Sequence, residues 1–350
     1  MTTVKLAGMG NPLLDIASNV TLEMVEKYGG KFGEATLANE ENMGVFDEIK
    51  GQKDVSYTAG GATLNVFRVF AWMRQEEGEN CVFTGCVGDD EDAKVLETNA
   101  SKDGLDVHFQ QSEKKSPTGN CAVLVVGKER TLIANIAAAN DFNYESMKKD
   151  ESFMKKMRSV DFYYISGFFL TVSVPSMLEL AVHAAENNKT FCMNISAPFL
   201  CQFFTEQMNQ VLPYCDYVFG NEDEAAAIAK MLDIKSDNNE EIAKAIVKLD
   251  KKNTKRSRVV VITQGSKPTI VAKFNDKGEV FTTSYDVKLI DKEKIVDTNG
   301  AGDSFCGGFM SQLVDGASEE QCVRAGQYAA SYMIQKSGIQ MDSKPTFKKE

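Results

Sequence analysis

Short apolar runs, each closing on glycine or serine, recur along the chain: VKLAGMG from Val4, CVFTGCVG from Cys81, DFYYISG from Asp161, TFCMNIS from Thr190, DYVFG from Asp216 and RVVVITQG from Arg258. Continuous runs of this length, without polar alternation, suit strands buried on both faces of a parallel sheet. Helical patterning lies between them. ATLNVFRVFAWMRQ from Ala62 follows a glycine pair, and PSMLELAVHAAENN from Pro175 opens on proline and closes on asparagine. NEDEAAAIAKML from Asn221 carries its acids where the first turn meets the positive end of the helix dipole. Strand and helix in alternation predict an α/β fold with right-handed crossovers.

Two segments break the rhythm, residues 16–57 and 120–140. The second has the form of a hairpin: an apolar run, the turn GKER at 127–130, and a second apolar run. Both fall between βα units and predict a small β-rich lid over the main sheet. The large domain is then residues 1–15, 58–119 and 141–350, and the lid is 16–57 with 120–140. The closing SKPTFKKE is expected to be loosely held.

Composition narrows the class. The chain has 350 residues, 43% of them hydrophobic and 25% charged, which is ordinary for a globular protein. A net charge of −11 argues against a nucleic-acid partner, which would need a basic face. The eight cysteines are scattered without a CxxC pair, and the two histidines, His108 and His183, stand apart, so no zinc pattern is present. The cysteines read as small buried apolar residues of a reducing compartment. Polar residues Lys5, Asn11 and Asp15 interrupt the amino-terminal stretch, and no apolar run approaches the ~18 residues of a membrane helix. The expectation is a cytoplasmic protein, with the nucleus also open, and no membrane partner.

The densest chemistry is DTNGAGDSFCGGF, Asp297 to Phe309. No Walker motif and no GxGxxG fingerprint occurs, since GMGNPL lacks the third glycine. Yet Gly300, Ala301 and Gly302 before a helix would bring bare backbone N–H groups to an anion at the positive end of a dipole. Asp303 would repel phosphate, unless it takes the proton of a hydroxyl attacking that phosphate. Taken alone, the cluster also fits a capping aspartate with packing glycines.

DTNGAGDSF resembles the C-terminal signature of the ribokinase family of carbohydrate kinases. AGGATLN (Ala59 to Asn65) and GCVGDD (Gly85 to Asp90) fall where that family has its N-terminal substrate motifs. GNPLLDI, PTGNCAV, RTLIANIAAAN, GFFLTVS, NISAPF and FGNEDEAAAIA resemble its adenosine-kinase branch, and the likeness runs from Gly10 to near Pro345. The resemblance implies a ribokinase-like three-layer α/β/α fold, with a mostly parallel central sheet and a small lid. It further implies transfer of the ATP γ-phosphate to the 5′-hydroxyl of adenosine with Mg2+, a role in purine salvage, and a monomer.

By that resemblance Asp303 is the general base, and Gly300, Ala301 and Gly302 form the anion hole. Arg130, which alone reads equally as a solvated turn charge, stabilises the transferred phosphate. Asn11, Asp15, Gly60, Gly61 and Asn65 belong to the nucleoside side, with Asp15, the glycines and Asn65 on the ribose hydroxyls. Leu13, Leu37, Cys121, Leu132, Ala134, Phe169 and Phe199 wall the adenine. Asn221, Thr263, Gly265 and Asn299 line the ATP site, and Glu224 acts on Mg2+ through water. Asn221 and Glu224 also fit a helix cap. A monovalent cation would lie near Asp297. The chain departs from the adenosine-kinase pattern at Ala62, where those enzymes usually carry serine. Two rival readings stand beside this one: a kinase for another sugar or nucleoside, and a nucleoside-binding protein without catalysis.

Overall fold

A computed structural model describes residues 4–30, 35–76, 80–127 and 129–348. Lys128, in the expected GKER turn, lies outside the described residues, as does part of the 16–57 segment. In chain order the strands are β1 (Leu6–Met9), β2 (Leu13–Asn19), β3 (Ala35–Leu37), β4 (Ser56–Gly60), β5 (Cys81–Val87), β6 (Leu105–Gln111), β7 (Asn120–Val126), β8 (Glu129–Asn135), β9 (Phe162–Ser166), β10 (Thr190–Asn194), β11 (Tyr217–Asn221), β12 (Val259–Gln264), β13 (Lys267–Phe274) and β14 (Val280–Tyr285).

Among the described residues these strands make two sheets. The larger has the order β14-β13-β12-β11-β10-β9-β1-β5-β6 and the smaller β3-β8-β7-β2-β4. Within the larger sheet only the β12–β13 and β13–β14 pairs are antiparallel; the rest is parallel. All six apolar runs became strands of it: β1, β5, β9, β10, β11 and β12. The three helical segments appear as Ala62–Arg74, Val174–Glu186 and Glu222–Met231. Strands β6, β13 and β14 were not marked by apolar runs. They lie at or near the sheet edges: β6 and β14 are largely half-exposed and carry polar residues, while β13 is buried only over its central Thr269–Ala272. Core packs against both faces of the large sheet, one centred on Tyr163, Phe191 and Met193, the other on Phe67, Tyr164 and Phe219. No helix among the described residues is long and apolar enough to cross a membrane.

The smaller sheet reaches past the borders read from sequence, since β2 begins at Leu13 and β4 ends at Gly60. Asp15, placed by sequence at the border of the large domain, therefore lies inside a strand of the smaller sheet. The pleat explains what the sheet presents. Leu14, Ile16, Ala122, Leu124 and Ile133 are buried on one face against Val25, Val45, Phe46 and Ile49, from helices Leu22–Lys27 and Gly44–Lys50. The alternate residues of each strand must face the other way.

The tail differs from its expectation. The Trp72 indole N–H donates to Ser343 O at 2.6 Å, Thr346 N donates to the Tyr328 hydroxyl at 2.7 Å, and Phe347 packs on Tyr328. Aromatic anchoring of this kind is not visible in a short polar segment.

Candidate active site

The site elements leave the large sheet at the carboxyl ends of parallel strands, where ligands of open α/β sheets bind. Asn11 follows β1, Phe168 and Phe169 follow β9, Ser196 and Phe199 follow β10, and Asn221 and Thr263 close β11 and β12. Facing these ends is the helix Ala301–Leu313.

That helix accounts for the crowded glycines. Gly300 is its N-cap at φ +73°, a left-handed position that favours glycine, and a Cβ there would also crowd the Ile339 side chain, at 2.7 Å. A Cβ on Gly307 would meet Val66 O at 2.6 Å, and one on Gly308 would meet Ala325 O at 2.4 Å. These two let the helix touch Ala62–Arg74 and Glu319–Met333 at backbone distance. Gly302 is different: nothing lies within 4 Å of its Cβ position. The open space stands over the first turn, whose N–H groups have no acceptor inside their own helix. The Ala301 N–H is an exception, donating to Thr298 O at 3.2 Å, so the cradle rests on the amides after it.

Asp303 is half-buried one position beyond Gly302. Burial pushes its carboxyl up to about 7; the Glu224 and Asp15 carboxylates push the same way, and a hydrogen bond from Asn65 opposes them. The Asn65 amide N–H2 donates to Asp303 Oδ2 at 3.1 Å. Burial likewise raises Asp15 to about 7, against the pull of the Arg68 guanidinium. Gly60 and Gly61 are explained by close approach. A Cβ on Gly60 would meet the Asp15 carboxyl at 2.4 Å, and one on Gly61, at φ +101°, would meet Asn11 O at 2.1 Å. Asn11 Oδ1 and Asn65 Oδ1 are buried without a partner among the described residues.

The second face of the small sheet supplies the apolar part. Register aligns Leu37 of β3, Ala134 of β8, Cys121 of β7 and Asp15 of β2 in one row across four strands. This row grades from apolar to acidic. Leu13 and Leu132 lie on the same face by alternation. Arg130 is there too, in β8. Its Nη1 donates to Val296 O at 2.8 Å and its Nε lies 3.2 Å from Asp297 Oδ2, both side chains deeply buried. The small sheet is thereby tied to the loop that precedes the glycine cluster.

One wall residue is not where it was expected. Phe169 is 1% exposed and packs edge-on to Phe142, 5.3 Å between centroids, inside the core. Its neighbour Phe168 is half-exposed and lies 6.1 Å from Phe199, which is 37% exposed. In the tight turn Gly167–Thr171 adjacent residues point about a third of a circle apart, so one of the pair turns in and the other out. A phenylalanine doublet does not say which.

Asn221 caps the helix Glu222–Met231 in a reciprocal capping box with Glu224. Glu224 is 6% exposed, and burial raises it to about 7, with backbone N–H groups of Asn221 and Ser196 pulling it down and the Asp223 and Glu222 carboxylates pushing it up. Thr263 stands beside Asn221 in the β11–β12 register, and Gly265 begins the turn into β13. Asn299 donates from both its backbone N–H and its amide to Asp297 Oδ1, at 2.9 and 3.0 Å. Asp297 Oδ2 accepts from Gly338 N at 3.1 Å and faces Arg130. With both oxygens so committed the carboxylate does not fit as the ligand of a monovalent cation.

Reading the residues alone did not single out Phe168, Asn194 or Ser196. Ser196 sits at φ +73°, uncommon for a residue with a side chain, and its hydroxyl meets Gly167 N at 3.0 Å and Ser166 Oγ at 3.1 Å. Asn194 Oδ1 accepts from Ser196 N at 3.0 Å. Both lie within the quoted NISAPF stretch, which marked the place without the roles.

Known proteins resemble this arrangement. Residues 22–346 match the model of the pfkB family of carbohydrate kinases. Adenosine kinase 1 of Arabidopsis thaliana is 44% identical over 342 residues, 98% of this chain and 97% of that protein. The crystal structure of Anopheles gambiae adenosine kinase in complex with P1,P4-di(adenosine-5) tetraphosphate has a TM-score of 0.88 at 42% identity, covering 98% of both chains. Adenosine kinase of Schistosoma mansoni, in complex with adenosine in an occluded loop conformation, reaches 0.88 at 34%, covering 97% of both. A carboxylate under a helix N-terminus, facing an apolar-to-acidic wall, thus sits in a chain that belongs to the pfkB family of carbohydrate kinases, among the adenosine kinases.

Proposed function

We propose that the chain transfers the γ-phosphate of ATP to the 5′-hydroxyl of adenosine, giving AMP and ADP. The row Leu37–Ala134–Cys121–Asp15 carries the reading. A nucleoside has an apolar ring at one end and a diol at the other, and this row matches it in order. Asp15, Asn65 and the Gly60–Gly61 backbone take the ribose hydroxyls. Leu13, Leu37, Cys121, Leu132 and Ala134 cover the base from the small sheet, with Phe168 and Phe199 from the large one.

The chemistry then falls to Asp303. It removes the 5′-hydroxyl proton as that oxygen attacks the γ-phosphorus, and the bond to the β–γ bridging oxygen breaks. The Gly302 region amides and the helix dipole stabilise charge developing on the transferred group. Arg130, already at the mouth of this loop through Val296 and Asp297, adds a cation with fork geometry. Asn221, Thr263, Gly265 and Asn299 form the nucleotide side. Glu224, buried and raised to about 7 by that burial, suits Mg2+ held through water, which would supply charge neutralisation on the phosphates. Such an ion would be held mainly by phosphate oxygens and water, as Mg2+ usually is. The small sheet with its two helices acts as the lid, and the chain works as a monomer.

The test is a turnover assay with ATP and Mg2+ against adenosine, inosine, ribose and fructose. Adenosine should be used by far the best. Faster use of ribose or fructose would make it a sugar kinase, and no turnover of any acceptor would favour a nucleoside-binding protein.

A further inference from the structure

Asp303 is held by more than its own helix. Asn65, one turn into Ala62–Arg74, reaches across the helix contact to donate to Asp303 Oδ2 at 3.1 Å. The contact is stiff, because Gly307 leaves only enough room for Val66 O, one residue from Asn65. The Asn65 backbone is fixed as well, donating to Gly61 O at 2.8 Å. The other end of the same amide is unused. Asn65 is 9% exposed, and its Oδ1 has no hydrogen-bond partner among the described residues. Buried polar atoms are nearly always paired, so an orphan beside a cleft points to a ligand group. The corner it occupies is that of Gly61, which caps its helix, and of Gly60, which abuts the Asp15 carboxyl.

We infer that Asn65 is a positioning residue for the base as well as a sugar ligand: its N–H2 ties Oδ2 of Asp303, so that Oδ1 is the oxygen presented to the hydroxyl being phosphorylated, while its own Oδ1 accepts from a neighbouring ribose hydroxyl. One amide then couples sugar recognition to the orientation of the base. The inference rests on the adenosine reading above. It has an electrostatic consequence. Asp303 is faced by Asp15 from β2, Glu224 from the helix Glu222–Met231, Tyr164 from β9 and Cys306 from its own helix. Among these acidic groups the Asn65 donor is the influence that favours the ionised carboxylate.

The experiment uses Asn65→Ala and Asn65→Ser, the second keeping a polar group too short to reach Asp303. Three quantities are read: kcat at saturating adenosine and ATP as a function of pH, the adenosine dissociation constant by calorimetry, and thermal melting as a check on folding. The expected result is a fall in kcat of about tenfold or more at pH 7, a modest part of what a base supplies. The acid limb of the kcat profile should move to higher pH. Weaker adenosine binding with an unchanged kcat and an unmoved limb would overturn the inference and leave Asn65 a sugar ligand only. A second readout needs no turnover: the Asp303 carboxyl, followed by carbon NMR in the ligand-free protein, should titrate at higher pH in Asn65→Ala than in the parent. Equal titration would overturn the inference. Should the parent fail to phosphorylate adenosine, the proposed function falls, and the carboxyl titration still decides the Asn65–Asp303 tie.

Discussion

Burial and the carboxylates of Glu224 and Asp15 together hold Asp303 near neutrality, far above the 3.8 of a free aspartate. In the proposed role of base, a carboxyl at about 7 would be poised for proton transfer at working pH, while its folded environment disfavours the charge it needs. A carboxyl whose pKa is higher folded than unfolded binds its proton more tightly in the folded state, so its ionisation destabilises the fold as pH rises from about 4 through about 7. Asp303→Asn removes that charge without changing shape. It should abolish turnover, with a loss of at least ~10²-fold, and raise the melting temperature at pH 8 more than at pH 5. Kinetics and melting curves at both pH values check the pair of effects. Retention of more than about a tenth of parental activity would contradict the base, since general bases typically contribute ~10²-fold or more. A melting shift that is larger at pH 5 would contradict the buried charge.

Elements place such residues, and the glycine-rich helix start shows two kinds of constraint a few residues apart. Gly300 is glycine because the chain is left-handed there and Ile339 is close, whereas Gly302 has open space above it. Gly302→Val should therefore fold with near-parental melting and lose most ATP-dependent turnover, because a branched side chain would fill the cradle. Gly300→Val should lose stability first, from the φ strain and the Ile339 clash. Melting and kinetics on both variants separate the cases; an active Gly302→Val protein would remove the anion hole from the mechanism. This element also shows what could be read in advance. The buried parallel strands β1, β5 and β9 to β12 were legible because burial on both faces removes polar alternation. The edge strand β14 was not, because its half-exposed residues carry no continuous apolar run, and β13 has only a short buried centre flanked by Lys267, Pro268 and Lys273. At the site, Gly60 and Gly61 were marked only through the family resemblance, as ribose-side residues, and their crowding against Asp15 and Asn11 O shows only in three dimensions; the Phe168–Phe169 pair was not resolved either, since orientation within a single tight turn leaves no trace in spacing.

At the scale of the whole molecule, the proposed function derives specificity from two sheets that contribute unlike surfaces. The small sheet brings Asp15 and the apolar row; the large sheet brings Phe168, Phe199 and the Asp303 helix; and the Arg130–Asp297 contact joins the two sides. The polar corner of Asp15, Asn11 and Asn65 already holds unpaired buried oxygens, and each such group left without its hydroxyl costs ~1–3 kcal/mol. A site built on hydroxyl hydrogen bonds can reject an analogue that lacks one by large factors. The apolar wall discriminates less, because Leu37, Leu132 and Phe199 reward any flat ring of suitable size. From these unequal halves 2′-deoxyadenosine should be a markedly poorer substrate than adenosine, and changes on the base edge should be better tolerated. Free ribose should be very poor, because it leaves the wall empty. Asp15→Ala should lose most of the discrimination against the deoxy sugar together with much of the activity. Measurement of kcat/KM for adenosine, 2′-deoxyadenosine, inosine and ribose, on parent and variant, decides each point. Equal rates for adenosine and its deoxy analogue in the parent would show that Asp15 and Asn65 do not read the diol, and the acidic end of the row would then need another ligand.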